Sequence, residues 1–383
     1  MKKGFLVVLV WFFSFFSLPL HAGTVSPPPV TAKAWLLMDV VSHQVLASRH
    51  AEEKIGAEAA SKLMTAYLVF GAIRDGKLEL EQTVTISDAI GRLNTNGPRM
   101  FLQPGEAVSV RQLLQALVVT GGDDAALALG IAAYGNETTF VELMNQEASR
   151  LGMTSTVFTR PGGDLNKKSS TTTSDLAMLA TSLIRNFPEE YSFFSERESS
   201  YKNIRHRNLN RLLWLDPAVD GILVVKGAGQ PNTMIASAQR DSAVGKRRML
   251  SIVTGTVSDQ VRSEESLKLL NWGFQKFDTV KLFEKNQVVA TPKVWKGSLG
   301  KVEVGFNNDT YVAIPKGTAS RLSSVLVRND PLFAPINEGA PIGVLKIAVD
   351  DQVIAELPVV ALEPIRVASL IGRIWDSVCL WFT

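Results

Sequence analysis

Cysteine and histidine are scarce in this sequence. Its 383 residues include one cysteine, Cys379, and four histidines. A single cysteine excludes a disulfide within the chain, so core burial must hold the fold. Cys379 could pair between chains, but an unpaired apolar cysteine is the preferred interpretation. His43, His50 and His206 have no second His or Cys at metal-ligand spacing, so we predict neither a metal site nor a bound cofactor.

A large excess of charge of either sign is also missing. Lysine and arginine total 40 against 37 acidic residues, which leaves a net charge of +3. Nucleic-acid binding usually requires a concentrated basic face, so we predict no nucleic-acid partner. The composition, 46% hydrophobic and 20% charged, is ordinary for a globular protein with a substantial core.

Long apolar runs are absent except at the N-terminus. Residues 1–22, MKKGFLVVLVWFFSFFSLPLHA, begin with two lysines and continue with an apolar run from Phe5 to Leu20. Pro19 and the small residue Ala22 resemble a processing site, which predicts a signal peptide and an exported protein. The alternative is an uncleaved membrane anchor, because the apolar run is long. The residue directly after the predicted cut is Gly23 and not a cysteine, which argues against lipoprotein attachment.

Two domains with different patterns of apolar residues follow. Residues 23–280 combine helical periodicity with β-branched alternating stretches, which predicts an α+β domain with helices packed on an antiparallel sheet. Residues 281–363 are short alternating segments broken by Gly and Pro, which predicts a small all-β, sandwich-like domain. The strongest patterns are a β-hairpin over 31–54, helices over 110–119, 123–135 and 138–153, strands between 197 and 257, and a closing helix over 263–277.

The last twenty residues, 364–383, predict an amphipathic helix that opens at Pro364. The residues of its apolar face are Val367, Leu370, Ile371, Ile374, Trp375, Val378 and Trp381; those of its polar face are Arg366, Ser369, Arg373 and Asp376. Two charges near the middle of a spanning helix would each cost about 2.5–3.5 kcal/mol, so we expect it to lie flat on a membrane. The alternative is a helix docked on its own protein.

The stretch AEAASKLMTAYLVF, residues 57–70, carries a broken catalytic pattern. Leu63, Met64, Tyr67 and Leu68 predict one apolar face of a buried helix. A serine three residues before Lys62 would share its face, and an amine there could take the proton of an acylating hydroxyl. The residue at that position, 59, is alanine.

Several longer stretches resemble the low-molecular-mass penicillin-binding proteins, the serine-type D-alanyl-D-alanine carboxypeptidases of the bacterial envelope. The resemblance covers most of the mature chain and includes AWLLMDVVSHQVLA, KLMTAYLVF, GPRMFLQPGEAVSVRQLL, GDDAALALG, VDGI and ESLKLLNWGF. It implies a β-lactamase/transpeptidase-like fold: an antiparallel sheet with flanking helices and a helical insert, then the β-rich domain and the C-terminal helix.

The resemblance also implies three catalytic motifs, and none of them is intact here. Ser-x-x-Lys, which supplies nucleophile and base, falls on 59–62, where only Lys62 remains beside Ala59. Ser-x-Asn falls on 121–123, where Gly121 and Asp123 replace the hydroxyl and the amide. Asp123 places a carboxylate where an anionic peptide terminus would approach, which predicts repulsion. Lys-Thr-Gly, which binds the substrate carboxylate, falls on the aliphatic residues Leu223, Val224 and Val225.

Shifted motifs are weaker alternatives. Ser61 adjoins Lys62, but neighbouring helical residues point about 100° apart. The stretches 199–202 and 298–301 match Ser-x-x-Lys by letter only, in strand-like and turn-like sequence. Residues 134–136, Tyr-Gly-Asn, resemble a variant second motif but better end a helix. Lys226 with residues 227–228 could replace the third motif only by a three-residue slip, which would reverse the faces of a strand.

The sequence therefore predicts a catalytically inactive homologue, a pseudoenzyme of this family. Removing the nucleophile alone from a serine hydrolase can cost on the order of 10⁶ in kcat. The expected partners are peptidoglycan stem peptides or an envelope protein, and the membrane surface through the C-terminal helix. The expected location is the periplasm, peripherally attached to the inner membrane. The alternative function is a residual or altered D-Ala-D-Ala carboxypeptidase in peptidoglycan maturation that uses Lys62 with an unassigned hydroxyl.

Overall fold

The computed structural model of this chain describes residues 25–95, 97–162, 169–226 and 232–380. The predicted signal peptide, Trp381 and residues 227–228 lie outside these ranges. The α-helices in the described ranges are α1 Glu58–Arg74, α2 Val110–Gln115, α3 Asp123–Tyr134, α4 Glu137–Leu151, α5 Thr173–Asn186, α6 Leu212–Leu215, α7 Asp259–Lys276 and α8 Leu370–Cys379.

The β-strands divide between the two domains. In the first part of the chain they are β1 Ala34–Asp39, β2 Gln44–Arg49, β3 Ile55–Gly56, β4 Thr83–Thr85, β5 Ala107–Ser109, β6 Ser170–Thr171, β7 Glu198–Tyr201, β8 Ile204–Arg207, β9 Val219–Val225, β10 Thr233–Ser242 and β11 Gly245–Thr254. In the second part they are β12 Phe277–Phe283, β13 Val288–Ala290, β14 Val294–Trp295, β15 Val304–Gly305, β16 Thr310–Pro315, β17 Leu322–Arg328, β18 Leu332–Phe333, β19 Pro341–Val349 and β20 Gln352–Ala361.

A five-stranded antiparallel sheet in the order β2-β1-β11-β10-β9 forms the centre of the first domain. The predicted hairpin is present as β1 and β2. Helices α1 to α5 contribute to the core on one face of the sheet, and α6 and α7 contribute to the core on the other. The α+β architecture is thus confirmed, and strand β9 lies at one edge of the sheet, where it is accessible to a neighbouring helix.

Helix α1 is the central helix of this domain. The sequence predicted one apolar face, whereas the structure buries nearly its whole circumference from Ala59 to Tyr67. Small residues such as Ala60 and Ala66 fill the remaining faces, so the helix is enclosed by others and by β9. This enclosure fixes the position of every side chain on its first two turns.

The second domain is β-rich, as predicted. Its main sheet has the order β13-β15-β20-β19-β17, and β12 pairs with β16 beside it. A buried ion pair of the central sheet contacts the second domain: Asp39 Oδ2 on β1 lies 2.7 Å from Arg247 Nε on β11 and also accepts a hydrogen bond of 2.6 Å from Thr279 Oγ1 on β12. Because the Asp39 carboxylate is charged and buried, this hydrogen bond helps to hold β12 against the central sheet.

The C-terminal helix is shorter than predicted. Helix α8 begins at Leu370, with Ser369 as its N-cap, and not at Pro364. The preceding residues are extended: Ile365 exchanges backbone hydrogen bonds with Ile336, and Val367 bridges to Gly297. These strand-like pairings satisfy the backbone without a helix, which explains why the proline does not start one. No helix in the described ranges is long and apolar enough to cross a membrane.

Candidate active site

Lys62 lies in the second turn of α1, three residues after Ala59. Both side chains are buried. They share a face of the helix, as the spacing predicted. Ser61 is also buried, but it lies about a quarter-turn away around the helix. The structure therefore presents the lysine of the first motif without a hydroxyl at the position one turn before it.

Asp123 is the charge partner of Lys62. Its Oδ1 lies 2.8 Å from Lys62 Nζ, and each side chain is only 2% exposed. The hydroxyl of Thr95 donates a hydrogen bond to Oδ2 of the same carboxylate. Asp123 is also the first residue of α3, where the helix dipole favours a negative charge. The residue at the second motif position is thus half of a buried ion pair.

This pair corrects the expected repulsion between Asp123 and an anionic peptide terminus. The carboxylate is neutralised by Lys62 and is buried, so it does not present its charge to solvent. Sequence alone could not show this, because positions 62 and 123 belong to different helices. The Lys62 amine, which would accept a proton in acyl transfer, already forms an ion pair with the Asp123 carboxylate.

Two glycines allow the backbone to close over Asp123. A Cβ on Gly97 would lie 2.2 Å from Oδ2 of Asp123, and a Cβ on Gly162 would lie 3.0 Å from Oδ1. The backbone N–H of Asp123 donates to Pro98 O at 2.8 Å, which holds the first of these loops in place. Any larger residue at position 97 would collide with the carboxylate. The backbone at Gly97 and Gly162 therefore covers the ion pair.

Asp124, the next residue, holds the same loop from its other end. Its carboxylate accepts hydrogen bonds from the backbone N–H groups of Met100 at 3.0 Å and Leu102 at 3.1 Å. These charge-assisted bonds are among the stronger ones in proteins. Adjacent carboxylates thus have separate roles, since Asp123 neutralises the lysine and Asp124 fixes the loop that covers it.

Gly121 brings the first two motif positions close to the third. Its φ of +70° places it in the left-handed region, where it ends the helical segment before α3. A Cβ at this position would lie 3.8 Å from Lys62 Nζ and 4.0 Å from the backbone oxygen of Val224 on β9. The three motif positions therefore converge in space, as the family resemblance implies.

Strand β9 presents only aliphatic side chains at the third motif. Leu223, Val224 and Val225 are all buried. Leu223 and Val225 belong to the apolar core that includes α1, whereas Val224 belongs to the core on the opposite face of the sheet. Leu223 and Val225 pair with Ile235 and Thr233 of β10. The side chains that face α1 fill space and offer neither a charge nor a donor.

The other candidate motifs have structural roles. Lys202 pairs with Glu106 at 2.7 Å, and Asn136 caps α4 by accepting from Thr139 N. Residues 298–301 form a turn of the second domain. Lys226 follows β9 directly and pairs with Asp259 at 2.5 Å. None of these side chains contacts Lys62 through a hydrogen bond or ion pair in the described residues.

Arg262 is a candidate functional residue that the sequence analysis missed. It lies in the first turns of α7, is 1% exposed, and its Nη2 lies 3.0 Å from Asp259 Oδ1. Its Nε and Nη1 have no hydrogen-bond partner in the part of the chain that the structure describes. A buried guanidinium with unused donors is suited to bind an anion. In the sequence, Arg262 follows Asp259 by three residues in a stretch with many charged residues. This pattern is typical of an ordinary ion pair on a helix surface.

Charges at the end of β9 modify each other's proton affinity. Burial alone would raise the pKa of Asp259, but the hydrogen bond from Lys226 and the nearby positive charges hold that pKa below its usual value. Burial lowers the pKa of Arg262, and Asp259 partly offsets this effect. The Asp259 carboxylate therefore stays ionised to more acidic pH than a free aspartate and keeps both cations in place.

The chain is similar to known proteins over most of its length. Residues 21–257 match the D-alanyl-D-alanine carboxypeptidase family, Peptidase S11, and residues 277–366 match the C-terminal domain of penicillin-binding protein 5. D-alanyl-D-alanine carboxypeptidase DacC of Escherichia coli is 35% identical over 365 residues, which cover 94% of this chain and 90% of DacC. DacA of the same organism is 33% identical over 372 residues, 95% of this chain and 91% of DacA.

Solved structures show the same relationship. Penicillin-binding protein 5 from Haemophilus influenzae superposes with a TM-score of 0.80 and 31% identity, covering 90% of this chain and all of that one. Penicillin-binding protein 6B from Escherichia coli superposes with a TM-score of 0.70 and 28% identity, covering 88% of this chain and 98% of that one. The predicted β-lactamase/transpeptidase-like fold is confirmed.

Proposed function

The chain belongs to the D-alanyl-D-alanine carboxypeptidase family, and from this premise we propose that it is a catalytically inactive member that binds stem peptides or an envelope partner. The observation that carries this proposal is the buried Lys62–Asp123 pair at 2.8 Å beside Ala59. Acyl transfer needs a nucleophile and a base that is available to it. Here the nucleophile position holds a methyl group, and the base is bonded to a carboxylate.

Stem-peptide binding is supported by the charge that the site retains. Arg262 is buried, with two nitrogen atoms unpartnered among the described residues. It lies next to Asp259, which reaches Lys226 at the end of β9. A peptide carboxylate placed at this end of the strand would lie beside Lys226, which is 47% exposed, with the buried Arg262 behind it. Leu223 and Val224 provide no polar contact, so we expect weaker binding than a Lys-Thr-Gly strand would give.

The alternative function, a residual carboxypeptidase, is favoured by Thr95. Its hydroxyl donates a hydrogen bond to the Asp123 carboxylate, which forms an ion pair with Lys62. A hydroxyl, a carboxylate and an amine in one connected network are the components of an activated nucleophile. Thr95 is buried, however, and a substrate would have to displace the loop above Asp123 to reach it.

The first prediction concerns acylation. We expect the purified protein to form no covalent adduct with a fluorescent penicillin and to release no D-alanine from a pentapeptide, because position 59 carries no hydroxyl. Intact mass spectrometry after incubation with penicillin measures the adduct directly. A stoichiometric adduct would contradict the proposal. If the adduct were then lost in Thr95→Val but kept in Ser61→Ala, Thr95 would be the nucleophile.

We further propose that the protein is periplasmic and peripherally attached to the inner membrane. Residues 1–22 would direct export and be removed. Helix α8 would supply the attachment, since its apolar side chains remain exposed on the folded protein; Ile371, for example, is 82% exposed. Asp376 and Arg373 lie on the half-buried side of the helix. An amphipathic helix with one exposed apolar face and no spanning length favours binding in the interface.

The second prediction is that removing residues 369–383 moves the mature protein from the membrane fraction to the soluble fraction. This boundary spares Ile365, which is buried in the second domain and would be lost from its core if the deletion began at 364. Cell fractionation in low and high salt measures the distribution. The double variant Ile371→Ser/Trp375→Ser should shift in the same direction.

The matched control is Val325→Ser/Val327→Ser, which removes exposed apolar side chains from β17 of the same domain. It should leave the distribution unchanged. Membrane pelleting of the truncated protein would mean that the N-terminal segment is retained or that another surface binds.

A further inference from the structure

The junction between the second domain and α8 is tightly constrained by backbone hydrogen bonds. Ser298 N donates to Arg366 O at 2.7 Å, and Ala368 N donates to Lys296 O at 2.8 Å. Gly297 bridges to Val367 between them. The turn at 296–300 and the segment that leads into α8 therefore form one paired unit, with no free linker between domain and helix.

A side-chain contact within the helix adds a second attachment point. Asp376 accepts a hydrogen bond of 2.5 Å from the backbone N–H of Lys296. Asp376 lies more than one turn into the helix, whereas Ala368 lies just before it. Because both contacts involve Lys296, the helix is held to the turn at its start and along its length. Its direction relative to the second domain is fixed.

The turn displays apolar side chains of its own. Leu299 is 48% exposed and Phe333 is 45% exposed. Phe333 pairs with Trp295 immediately before the turn, and Lys296 Nζ lies 5.7 Å from the centre of its ring. Val367, on the opposite side of the bridge, is exposed as well. These residues surround the point where α8 leaves the domain, so apolar surface continues from the helix onto the domain.

Positive charge accompanies this apolar surface. Residues 293–301 carry three lysines and no acidic residue. Residues 364–380 carry Arg366 and Arg373 against one acid, Asp376, whose carboxylate is occupied by the Lys296 backbone. Exposed apolar side chains among cations that form no ion pair within the described ranges are complementary to a bilayer with anionic headgroups.

We propose that the turn 296–300 and α8 form one composite surface that binds an anionic bilayer, so that the second domain itself touches lipid. This inference rests on the proposed attachment through α8 and adds the turn to it. The helix inserts its apolar face, Leu299 and Phe333 enter the interface beside it, and the lysines and Arg366 contact headgroups. The chain then stands on the membrane in one orientation, because the helix cannot swing relative to the domain.

Spin labels test the composite surface directly. The protein is matured in the cell with its own N-terminal segment and purified, in a Cys379→Ser background with one new cysteine, Leu299→Cys or Val325→Cys. Each is labelled and mixed with vesicles of phosphatidylcholine and phosphatidylglycerol. We expect the label at 299 to move into an environment accessible to oxygen and shielded from a water-soluble relaxant. The label at 325, on β17, should remain aqueous.

A binding measurement with unlabelled protein supports the same test. Sedimentation with these vesicles should show Leu299→Ser weakening the partition constant by about fivefold, as expected when half a leucine side chain loses its apolar contact. Val325→Ser should bind like the parent. Vesicles of phosphatidylcholine alone should bind the parent more weakly, since the cations lose their counter-charges.

The outcomes separate this inference from the attachment that it builds on. If the variant lacking 369–383 fails to bind vesicles while the label at 299 stays aqueous in the full chain, α8 is the anchor and the composite surface is wrong. If the truncated variant still binds, the proposed attachment through α8 is wrong. Shielding at 299 together with loss of binding on truncation supports both.

Discussion

Replacing Asp123 with asparagine should lower the free energy of unfolding by about 3–5 kcal/mol, because it leaves the Lys62 ammonium buried without a counter-charge. Both side chains are 2% exposed, so solvent cannot compensate for the loss. Lys62→Met should cost a similar amount by leaving the carboxylate unpaired. Urea denaturation followed by circular dichroism measures both values.

The double variant Lys62→Met/Asp123→Asn provides the decisive comparison. It removes both charges and retains an amide that can accept the hydrogen bond from Thr95, so it should be more stable than either single variant. The matched control is Glu81→Ala, which breaks the solvent-exposed pair with Arg111 and should change stability by no more than about 1 kcal/mol. Additive effects of the two buried substitutions would show that Lys62 and Asp123 do not interact.

Restoring acylation should require all three motifs. We expect Ala59→Ser alone to give no adduct with a fluorescent penicillin, although its hydroxyl would lie one turn from Lys62. The lysine is bonded to Asp123, and β9 offers no donor where negative charge develops. Losing a single such donor can cost about 10²–10³ in rate. Acylation should require five further substitutions in addition to Ala59→Ser. They are Gly121→Ser, Asp123→Asn, Leu223→Lys, Val224→Thr and Val225→Gly.

Among these substitutions, Gly121→Ser adds strain to the backbone. Gly121 has a φ of +70°, and a residue with a Cβ costs about 1–2 kcal/mol in that conformation. The combined variant should therefore be assayed at low temperature, with its fold checked by circular dichroism. Rapid acylation of the single Ala59→Ser variant would show that the other two motif positions have working substitutes. An inert six-substitution variant that is correctly folded would point to the loop over Asp123 as a further obstacle.

The sequence predicted the fold well because its signals were local. The hairpin of β1 and β2, the helix that carries Lys62 and helix α4 all follow from apolar periodicity and turn residues. The convergence of Ala59, Lys62 and Gly121 with β9 followed from the family resemblance. Periodicity alone does not bring residues so far apart in sequence together.

The sequence did not reveal which groups bond to each other within the site. Asp123 looked like a free carboxylate, yet it pairs with Lys62 across two helices, and the buried Arg262 was not singled out at all. The error and the omission both concern long-range packing, which a window of neighbouring residues does not encode. The start of α8 was misplaced for a related reason: Pro364 permits a helix, but pairing of Ile365 with Ile336 stabilises an extended chain instead.

The buried Lys62–Asp123 pair would prevent any single substitution from giving catalysis at this site. A variant that changed Asp123 to asparagine alone would carry a buried, uncompensated lysine, and one that changed Lys62 alone would lose the base that acyl transfer needs. A new serine at position 59 gains nothing while the lysine remains ion-paired with Asp123. Each of these single steps towards catalysis is therefore either harmful or without benefit. Under the proposed function the pair contributes to the scaffold, and selection for stability alone would preserve it.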